Sequence, residues 1–450
     1  MNLVLRGGTV VTSLDPPSLR PTDVTVVNGR VAAEGDTESG ADAIDCTGCL
    51  VIPGNVCAHH HLYSALARGM PYRLEPPQDF LQVLQRVWWR LDRALDESSI
   101  LHSAFVGGAD ALLAGTTTIV DHHASPNAID RSLEWLDGGL RGLGARRILC
   151  YEVTDRDGLD RAAAGLEETH LRLEEPASAG HVEPLLRTMV GAHASFTLSP
   201  ETLHACVSLA DEFDVGIHVH VAEDGVDERD SEARFGRRVI ERLADAGALS
   251  DRSLLAHCVH VDDREIALIR ETGAWVAHNA RSNMNNRVGR APVGRLGDRV
   301  ALGTDGIDGD MFAESRAAYW RGREDDPSIT PSWVLGRLAA GAAFAGRAFD
   351  EPLFGRIEPG APADLVVLDY DPPTPLTAEN LAGHWMFGLS ARDVRDVVVG
   401  GSVVVRDQRL VHMGEAELRA FSQATAQELW RRMDDIEEHP FAPTPGGTER

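Results

Sequence analysis

Residues 53–62 read PGNVCAHHHL and follow the apolar run LVI at residues 50–52. This pattern predicts a short strand that ends in three histidines. Side chains at alternate positions of a strand share a face, so His59 and His61 point one way and His60 points the other. Two imidazoles side by side at a strand end can form half of a metal site. From this stretch alone, an exposed polar turn is the alternative.

Residues 54–350 repeat one arrangement, in which a strand-like run is followed by an amphipathic helical stretch. We count eight such runs, the first of which ends at His61. Eight successive βα units predict an α/β fold of the (β/α)8 type, the TIM barrel. The seven further strands are predicted at residues 116–123, 147–153, 189–193, 215–223, 254–257, 275–279 and 300–305.

Short β-rich runs occupy two further segments, at residues 1–53 and 355–412. An Asn-Gly pair at residues 28–29 and a Gly-Gly pair at residues 400–401 lie between such runs, and both are typical of hairpin turns. We expect the two segments to pair into one discontinuous β-sandwich domain. The barrel domain is then expected to span residues 54–354.

Two segments fit neither pattern. Residues 64–97 form an insertion after the first barrel strand, with a helical stretch that carries Trp88 and Trp89. An aromatic segment over a barrel mouth predicts a lid or substrate wall, and a packing helix is the alternative. Residues 413–450 are expected to form a C-terminal helix followed, from His439, by a loose tail rich in Pro and Gly.

The composition restricts the possible partners and the location. The net charge is -26, from 43 basic and 69 acidic residues. This balance argues against nucleic-acid backbones and anionic lipid as partners. The sequence contains no apolar run of the roughly 18–20 residues that a membrane span needs, and its start lacks the basic residues of a signal peptide. We therefore expect a cytoplasmic protein whose six cysteines are buried free thiols.

The sequence contains no lysine, so all 43 basic residues are arginines. Schiff-base chemistry, a lysine general base and a phosphate loop ending in Gly-Lys are thereby excluded. A carboxylated lysine bridging two metals is excluded for the same reason.

Nearly every predicted barrel strand ends in His, Asp or Glu. Catalytic groups in this fold lie at the carboxyl ends of the strands. Buried unpaired charges are costly, so a shared metal ion is the simplest explanation of so many ionisable groups in one place.

The order of these groups resembles the amidohydrolase superfamily. His59-x-His61 ends strand one, His220-x-x-Glu223 ends strand five, His257 ends strand six and Gly303-Thr304-Asp305-Gly306 ends strand eight. Within the superfamily, the chain is similar to the branch acting on cyclic amidines, which includes triazine hydrolases and guanine-type deaminases. The resemblance covers almost the whole chain. Motifs similar to those of the SsnA group of aminohydrolases lie at residues 63–69, 87–97, 121–126, 278–286 and 310–312.

The resemblance implies one divalent metal per chain, held by His59, His61, His220 and Asp305. Three imidazoles and a carboxylate suit Zn²⁺, with Fe²⁺ as the alternative. The absence of lysine agrees with one metal rather than two. A water on such a metal can have its pKa lowered from 15.7 to roughly 7, which gives hydroxide near neutral pH.

The resemblance also implies three catalytic residues. His257 would hold or deprotonate the attacking water, with a fifth metal ligand or a structural histidine as alternatives. Glu223 would protonate a ring nitrogen, although strand alternation alone would turn it away from His220. Asp305 would pass a proton to the leaving amine.

Further residues near the strand ends are candidates for substrate contact. His122 and His123 cannot both face the barrel on a regular strand, and we expect His123 to do so. Arg68 in the insertion would bind an anionic substituent or pair with a surface carboxylate. His60 and His218 are expected to support the ligands or to pack. The candidate substrate-binding residues are His193, His123, Arg68, Trp88, Trp89, Glu152 and Asn283.

Together these features predict a hydrolytic deaminase that releases ammonia from an amino-substituted purine, pterin, pyrimidine or triazine. A related hydrolase that removes halide or opens a cyclic amide is the first alternative, and a catalytically silent metal-binding scaffold is the second. The expected partners are a small heterocyclic substrate and a second copy of the chain in a homodimer or higher homo-oligomer.

Overall fold

A computed structural model describes residues 2–33, 41–71, 73–179 and 183–444, without the side chains of residues 176–179. Its centre is a nearly closed barrel of eight parallel strands, each paired with the strands before and after it in the chain. The backbone N–H groups of Thr304 and Asp305 donate to the His59 carbonyl at 2.9 and 3.0 Å, which joins the last strand to the first. The predicted TIM barrel is confirmed. The barrel strands, one to eight, are Asn55–His60, Thr116–His123, Arg146–Val153, Val190–Ala194, Ile217–Val221, Leu254–His257, Trp275–His278 and Val300–Leu302.

Helices surround the barrel, and several begin at a side-chain cap. Asp96 caps one helix by accepting from the backbone N–H of Ser99 at 2.9 Å, and Ser199 caps another by accepting from Thr202 at 3.1 Å. Such caps satisfy backbone donors that the first helical turn leaves free. The described α-helices from residue 80 onward are Phe80–Val83, Trp89–Ala94, Glu97–Leu113, Ser132–Leu143, Leu159–Ala179, Pro200–Glu212, Gly225–Phe235, Val239–Asp245, Asp263–Thr272, Ala280–Asn285, Met311–Arg323, Pro331–Phe349, Leu381–Phe387 and Glu415–Asp434.

Two further sheets form a sandwich beside the barrel, and both terminal segments contribute to it. Strand Leu50–Pro53 pairs antiparallel with Leu365–Leu368, so the N- and C-terminal segments share one sheet. Leu3 and Val26 of the smaller sheet pack with Val51 of the larger one in a common apolar core. The division of the chain into domains at residues 53 and 354 stays a prediction. The strands are, in sheet order, Arg30–Val31, Val24–Val27, Leu3–Arg6 and Asp42–Asp45 in the smaller sheet, and Arg409–Leu410, Ser402–Arg406, Val394–Val399, Leu365–Leu368, Leu50–Pro53, Thr9–Leu14 and Pro17–Pro21 in the larger.

The C-terminal segment departs from the expected loose tail. After helix Glu415–Asp434 the chain crosses the barrel mouth, where His439 is buried and the N–H of Thr444 donates to Asp230 at 2.7 Å. Residues 445–450, also expected to be loose, lie outside the described residues. Among the described helices, none is long and apolar enough to cross a membrane. The six cysteines are buried free thiols, as expected.

A buried ion pair ties the barrel to the sandwich. The guanidinium of Arg146, at the start of barrel strand three, donates to both carboxylate oxygens of Asp364 at 2.6 and 3.0 Å. Asp364 also accepts from the N–H of Gly400 at 2.7 Å. Both side chains are only 5% exposed, so neither charge can turn to water if its partner is removed.

Replacing Arg146 with Met is expected to lower the free energy of unfolding by about 3–5 kcal/mol, because it leaves the buried carboxylate of Asp364 without its charged partner. Urea denaturation followed by circular dichroism measures this change. The matched control is Arg431→Met, which removes a pair with Glu428 between side chains more than 60% exposed. That control should cost about 0–1 kcal/mol. Equal losses in both variants would contradict the assigned importance of the buried pair.

Candidate active site

Four side chains converge at the carboxyl end of the barrel. The donor atoms of His59, His61, His220 and Asp305 all lie within 4.8 Å of one another. The Nε2 atom of His61 lies 3.1 Å from that of His220 and 3.1 Å from a carboxylate oxygen of Asp305. The Nε2 atom of His59 lies 3.6 Å from the same oxygen. These are the four residues that the sequence resemblance assigned as metal ligands.

The hydrogen bonds of the histidines fix which ring nitrogen faces the centre. His61 donates from Nδ1 to the His122 carbonyl at 2.6 Å, and His220 donates from Nδ1 to the His193 carbonyl at 2.8 Å. Nδ1 of His59 lies 2.8 Å from Nε2 of His218. Because the proton sits on Nδ1, the Nε2 lone pairs of His61 and His220 point inward, as metal ligation requires. His60 instead contacts Thr304 at 2.8 Å, a supporting position as expected.

The cluster suits a positive charge at its centre. Burial lowers the pKa of His59 and His220 well below the ordinary value, so both are neutral. Burial also disfavours the charged form of His61, but Asp305 outweighs it and raises the pKa of His61 to about 9. The buried Nε2 of His59 has no hydrogen-bond partner among the described residues. Neutral His59 and His220 beside the Asp305 carboxylate, with one unsatisfied nitrogen, fit a divalent metal ion, which would displace the second proton of His61.

The backbone bends sharply where the strands end. Ala222, His257 and Asp305 have positive φ angles of 45°, 75° and 54°. Such angles are uncommon for residues other than glycine and are held only when the surrounding structure fixes them. The turn at Ala222 brings Glu223 to the same side as His220, which regular strand alternation would not allow.

Glu223 and His257 lie on one side of Asp305. The Nε2 atom of His257 is 3.5 Å from a carboxylate oxygen of Glu223 and 3.8 Å from one of Asp305. Burial raises the pKa of Glu223 to about 7, against the opposing effect of His257. Glu223 can therefore hold a proton near neutral pH, which is the property a general acid needs.

A second group lies on the other side of the cluster. Glu152 is 3.1 Å from Nδ1 of His122 and accepts from Arg156 at 2.6 Å. Burial would raise the pKa of Glu152, but His193, Arg156 and His122 together lower it well below the ordinary value. Glu152 is therefore ionised. The ring of His193 lies 5.5 Å from that of His220.

A small cavity lies above the metal cluster. The π-helical turn Leu84–Trp88 presents Trp88 to it, and Trp89 follows at the start of the next helix. The Trp88 ring covers Gly306 so closely that a Cβ atom at that position would lie 1.9 Å from it. Both tryptophans thus form a wall of the cavity, and their contact with a substrate stays a prediction. The cavity is lined by His61, Tyr63, Phe80, Leu84, Trp88, Trp89, Glu152, His193, Ala194, Phe196, His220, Glu223, Asp224, Asp227, Asn286 and Asp305.

Three expected substrate contacts lie elsewhere. His122, not His123, points into the barrel, and its Nε2 donates to the carbonyl of Ala192 or His218 at 3.2 or 3.1 Å. His123 turns outward and contacts Ser125 at 3.0 Å. Asn283 accepts from Nδ1 of His257 at 2.7 Å, so it orients that ring rather than lining the cavity.

Arg68 is the third departure. Its side chain is 63% exposed, pairs with Asp110 and does not line the cavity. The alternative reading, a surface ion pair, is therefore the one that the structure supports. Arg68 directly follows the 3-10 helix Leu62–Ala67.

Two polar contacts of the site were not singled out from the sequence. Ser282 donates from its hydroxyl to Asp305, and Asn286 donates to Glu223 at 3.3 Å. The two residues are four positions apart around helix Ala280–Asn285, so they share one helical face. This spacing, in a helix that follows the strand ending in His278, is the sequence feature that could have indicated a role for both residues in the site.

The fold and the site together define a metal-dependent hydrolase. The strand ends of the TIM barrel bring together three imidazoles, a metal-competent carboxylate and two further acid–base groups. The chain belongs to the amidohydrolase family, whose sequence model matches residues 50–404. The family expected from the sequence is thereby confirmed.

Relatives that extend along nearly the full chain are consistent with this family. The chain is 30% identical over 452 residues to a 5-methylthioadenosine/S-adenosylhomocysteine deaminase of Symbiobacterium thermophilum, with 95% of this chain and 99% of that protein covered. It is 33% identical to a protein of the same name from Halobacterium salinarum, with 90% and 92% covered. A zinc-bound adenosine deaminase of Xanthomonas campestris shares the fold, with a TM-score of 0.81, 24% identity, and 96% and 99% coverage. The narrower similarity to the SsnA group stays a prediction.

Proposed function

We propose that this chain is a hydrolytic deaminase that releases ammonia from an amino-substituted N-heterocycle. It uses one divalent metal ion, with Zn²⁺ as the preferred metal. One observation carries the proposal. Three inward-facing imidazoles meet Asp305, and Asp305 in turn lies within 4 Å of His257 beside Glu223. Hydrolytic deamination needs this combination, because water must be activated and the leaving amine must gain a proton.

His59, His61, His220 and Asp305 would hold the metal. When bound, the metal would acidify a water molecule to a pKa of roughly 7. Purified protein is therefore expected to contain about one metal per chain, measured by elemental analysis. The cluster formed by His61, His122, Glu152 and His220 shares two of the same imidazoles. Each of those Nε2 atoms can bind only one metal ion at a time, so the two clusters cannot both be filled. Two tightly bound metals per chain would contradict the proposal.

The chain's own residues would move the protons. His257, oriented through Nδ1 by Asn283, would accept a hydrogen bond or a proton from the attacking water. Glu223 would donate its proton to the ring nitrogen beside the carbon under attack. Asp305, which accepts from the hydroxyl of Ser282, would take the proton of the hydroxyl newly bonded to that carbon and pass it to the departing amine. Any proton accepted by His257 would return to Glu223, 3.5 Å away. Ammonia then leaves from a ring that has gained a carbonyl oxygen.

The cavity favours a ring without negative charge. Its lining includes the acidic residues Glu152, Glu223 and Asp305 but no arginine. Arg156 beside it is already paired with Glu152 and Asp92, and Arg68 lies outside it. The names of the relatives, which are adenosine-type deaminases, favour an aminopurine within the ring types expected from the sequence. A neutral aminopurine is therefore the first substrate to test.

An ammonia-release screen of aminated purines, pterins, pyrimidines and triazines tests the activity. We expect turnover of a neutral aminopurine and no turnover of phosphorylated analogues. Release of chloride, or ring opening without ammonia, would favour the alternative hydrolases instead. Omitting the enzyme and adding the Glu223→Gln variant are the controls for spontaneous and contaminating deamination.

We also propose that the protein is a homodimer or higher homo-oligomer in the cytoplasm. Support for both statements comes from the family resemblance of the sequence. Light scattering during size-exclusion chromatography measures the mass in solution. A monomer of 48.7 kDa at micromolar concentration would contradict the oligomer.

A further inference from the structure

The C-terminal segment 436–444, which we call the strap, lies across the insertion that forms the cavity wall. The N–H of His439 donates to the Gln85 carbonyl at 3.0 Å, and the Gln85 side chain donates to the Phe441 carbonyl at 2.7 Å. At its far end Thr444 donates to Asp230 at 2.7 Å. The strap is therefore fastened to the helical turn that carries Trp88 and to the helix after barrel strand five.

The side chain of His439 is buried and held by specific contacts. It is 1% exposed, and its ring lies 5.0 Å from that of Trp89. Its Nδ1 accepts from the N–H of Phe441 at 3.1 Å, so Nε2 carries the proton and faces Asp157 at 3.4 Å. A fully buried polar ring with both nitrogens satisfied fixes the position of the strap.

Phe441 supports the cavity wall from outside. Its ring lies 5.8 Å from Trp89 and 6.3 Å from Phe196, and both of these line the cavity. Trp89 lies 5.9 Å from His193, whose ring is 5.5 Å from the proposed metal ligand His220. A continuous series of packed rings thus runs from the strap to the metal cluster.

The cavity enclosed by this wall is small. Its volume is about 40 Å³, far below the roughly 300–1,000 Å³ of pockets that hold drug-sized ligands. A ring placed with its amino-bearing carbon at Asp305 must extend toward the aromatic wall, because the metal cluster occupies the opposite end. Entry of any heterocycle requires some movement of the wall, and each added substituent requires more.

We propose that the strap is a specificity-determining element that restricts the substrate to a compact heterocyclic base and disfavours bases carrying a sugar with a 5′ extension. His439 and Phe441 act as positioning residues, since they contact Trp89 and Phe196 and not the substrate. This proposal rests on the proposed function for its choice of ligands. It differs from the substrates in the names of the relatives, which are nucleosides.

The test compares adenine with 5′-methylthioadenosine as ligands of the metal-loaded full chain. Calorimetry measures the Kd of each, and ammonia release measures kcat and KM separately. Wild type is expected to bind adenine at least about tenfold more tightly, because the larger ligand overpacks the wall. Phe441→Ala and a chain ending at Ile436 should reduce this preference severalfold, through a lower Kd and KM for the nucleoside.

Phe387→Ala is the matched control, because it removes a phenyl ring that is 65% exposed and remote from the cavity. It should retain the wild-type preference. Wild type binding both ligands equally, or binding neither, would overturn the strap proposal, as would a preference unchanged in Phe441→Ala and in the shortened chain. If the binding preference changes as expected but wild type releases no ammonia from any ligand, the strap proposal stands and the proposed function fails. The point variant keeps the test valid if the shortened chain does not fold.

Discussion

Replacing Glu223 with Gln is expected to lower kcat by about 10²–10⁴-fold, the usual contribution of a positioned general acid. Glutamine has nearly the same shape and can keep the contact with Asn286, which donates to Glu223 at 3.3 Å. It cannot deliver a proton to a ring nitrogen. Since Glu223 is not one of the four clustered ligands, metal content and melting temperature should stay near those of wild type.

The matched control is Glu228→Gln, five residues further along the chain in helix Gly225–Phe235. Burial, with a contribution from Glu265, raises the pKa of Glu228 to about 9, so it is already uncharged at neutral pH. The substitution changes little there, and kcat should remain close to the wild-type value. Steady-state ammonia release, with metal quantified in the same samples, measures both variants. Full activity in Glu223→Gln would remove Glu223 from the mechanism.

The sequence predicted the metal cluster because its members lie at strand ends in a recognisable order. His59 and His61 are separated by one residue, so strand alternation places them together whichever face is inward. The same rule could not choose between His122 and His123. Adjacent residues point to opposite faces, and both are histidines, so only the register against neighbouring strands decides which one faces the barrel.

The remaining differences come from contacts between distant parts of the chain. The tail around His439 has a composition typical of loose segments, yet it packs on Trp89 and Asp157, which precede it by hundreds of residues. The residue pattern near His439 contains no information about these distant contacts. Arg68 likewise pairs with Asp110, which lies in helix Glu97–Leu113 and is not its neighbour in the chain.

Replacing Asp305 with Asn is expected to abolish turnover and to remove the stabilisation that added Zn²⁺ gives to metal-free protein. Asp305 is the only carboxylate within the cluster of His59, His61 and His220 among the described residues, so an amide would leave neutral donors alone around a dication. In wild type, metal at 100 times its Kd should add about 2.7 kcal/mol to the free energy of unfolding. Melting curves of metal-free protein with and without Zn²⁺ measure this gain.

Asp308→Asn provides the comparison, because Asp308 lies three residues further on and pairs with Arg281 at 2.9 Å, outside the cluster. It should retain one metal per chain and the full Zn²⁺-dependent rise in melting temperature. Since both variants lose one carboxylate near the barrel mouth, a general weakening of the negative field would affect them alike. Loss confined to Asp305→Asn therefore distinguishes a metal ligand from a carboxylate that attracts cations at a distance, and an undiminished Zn²⁺ effect in that variant would contradict the assigned ligand set.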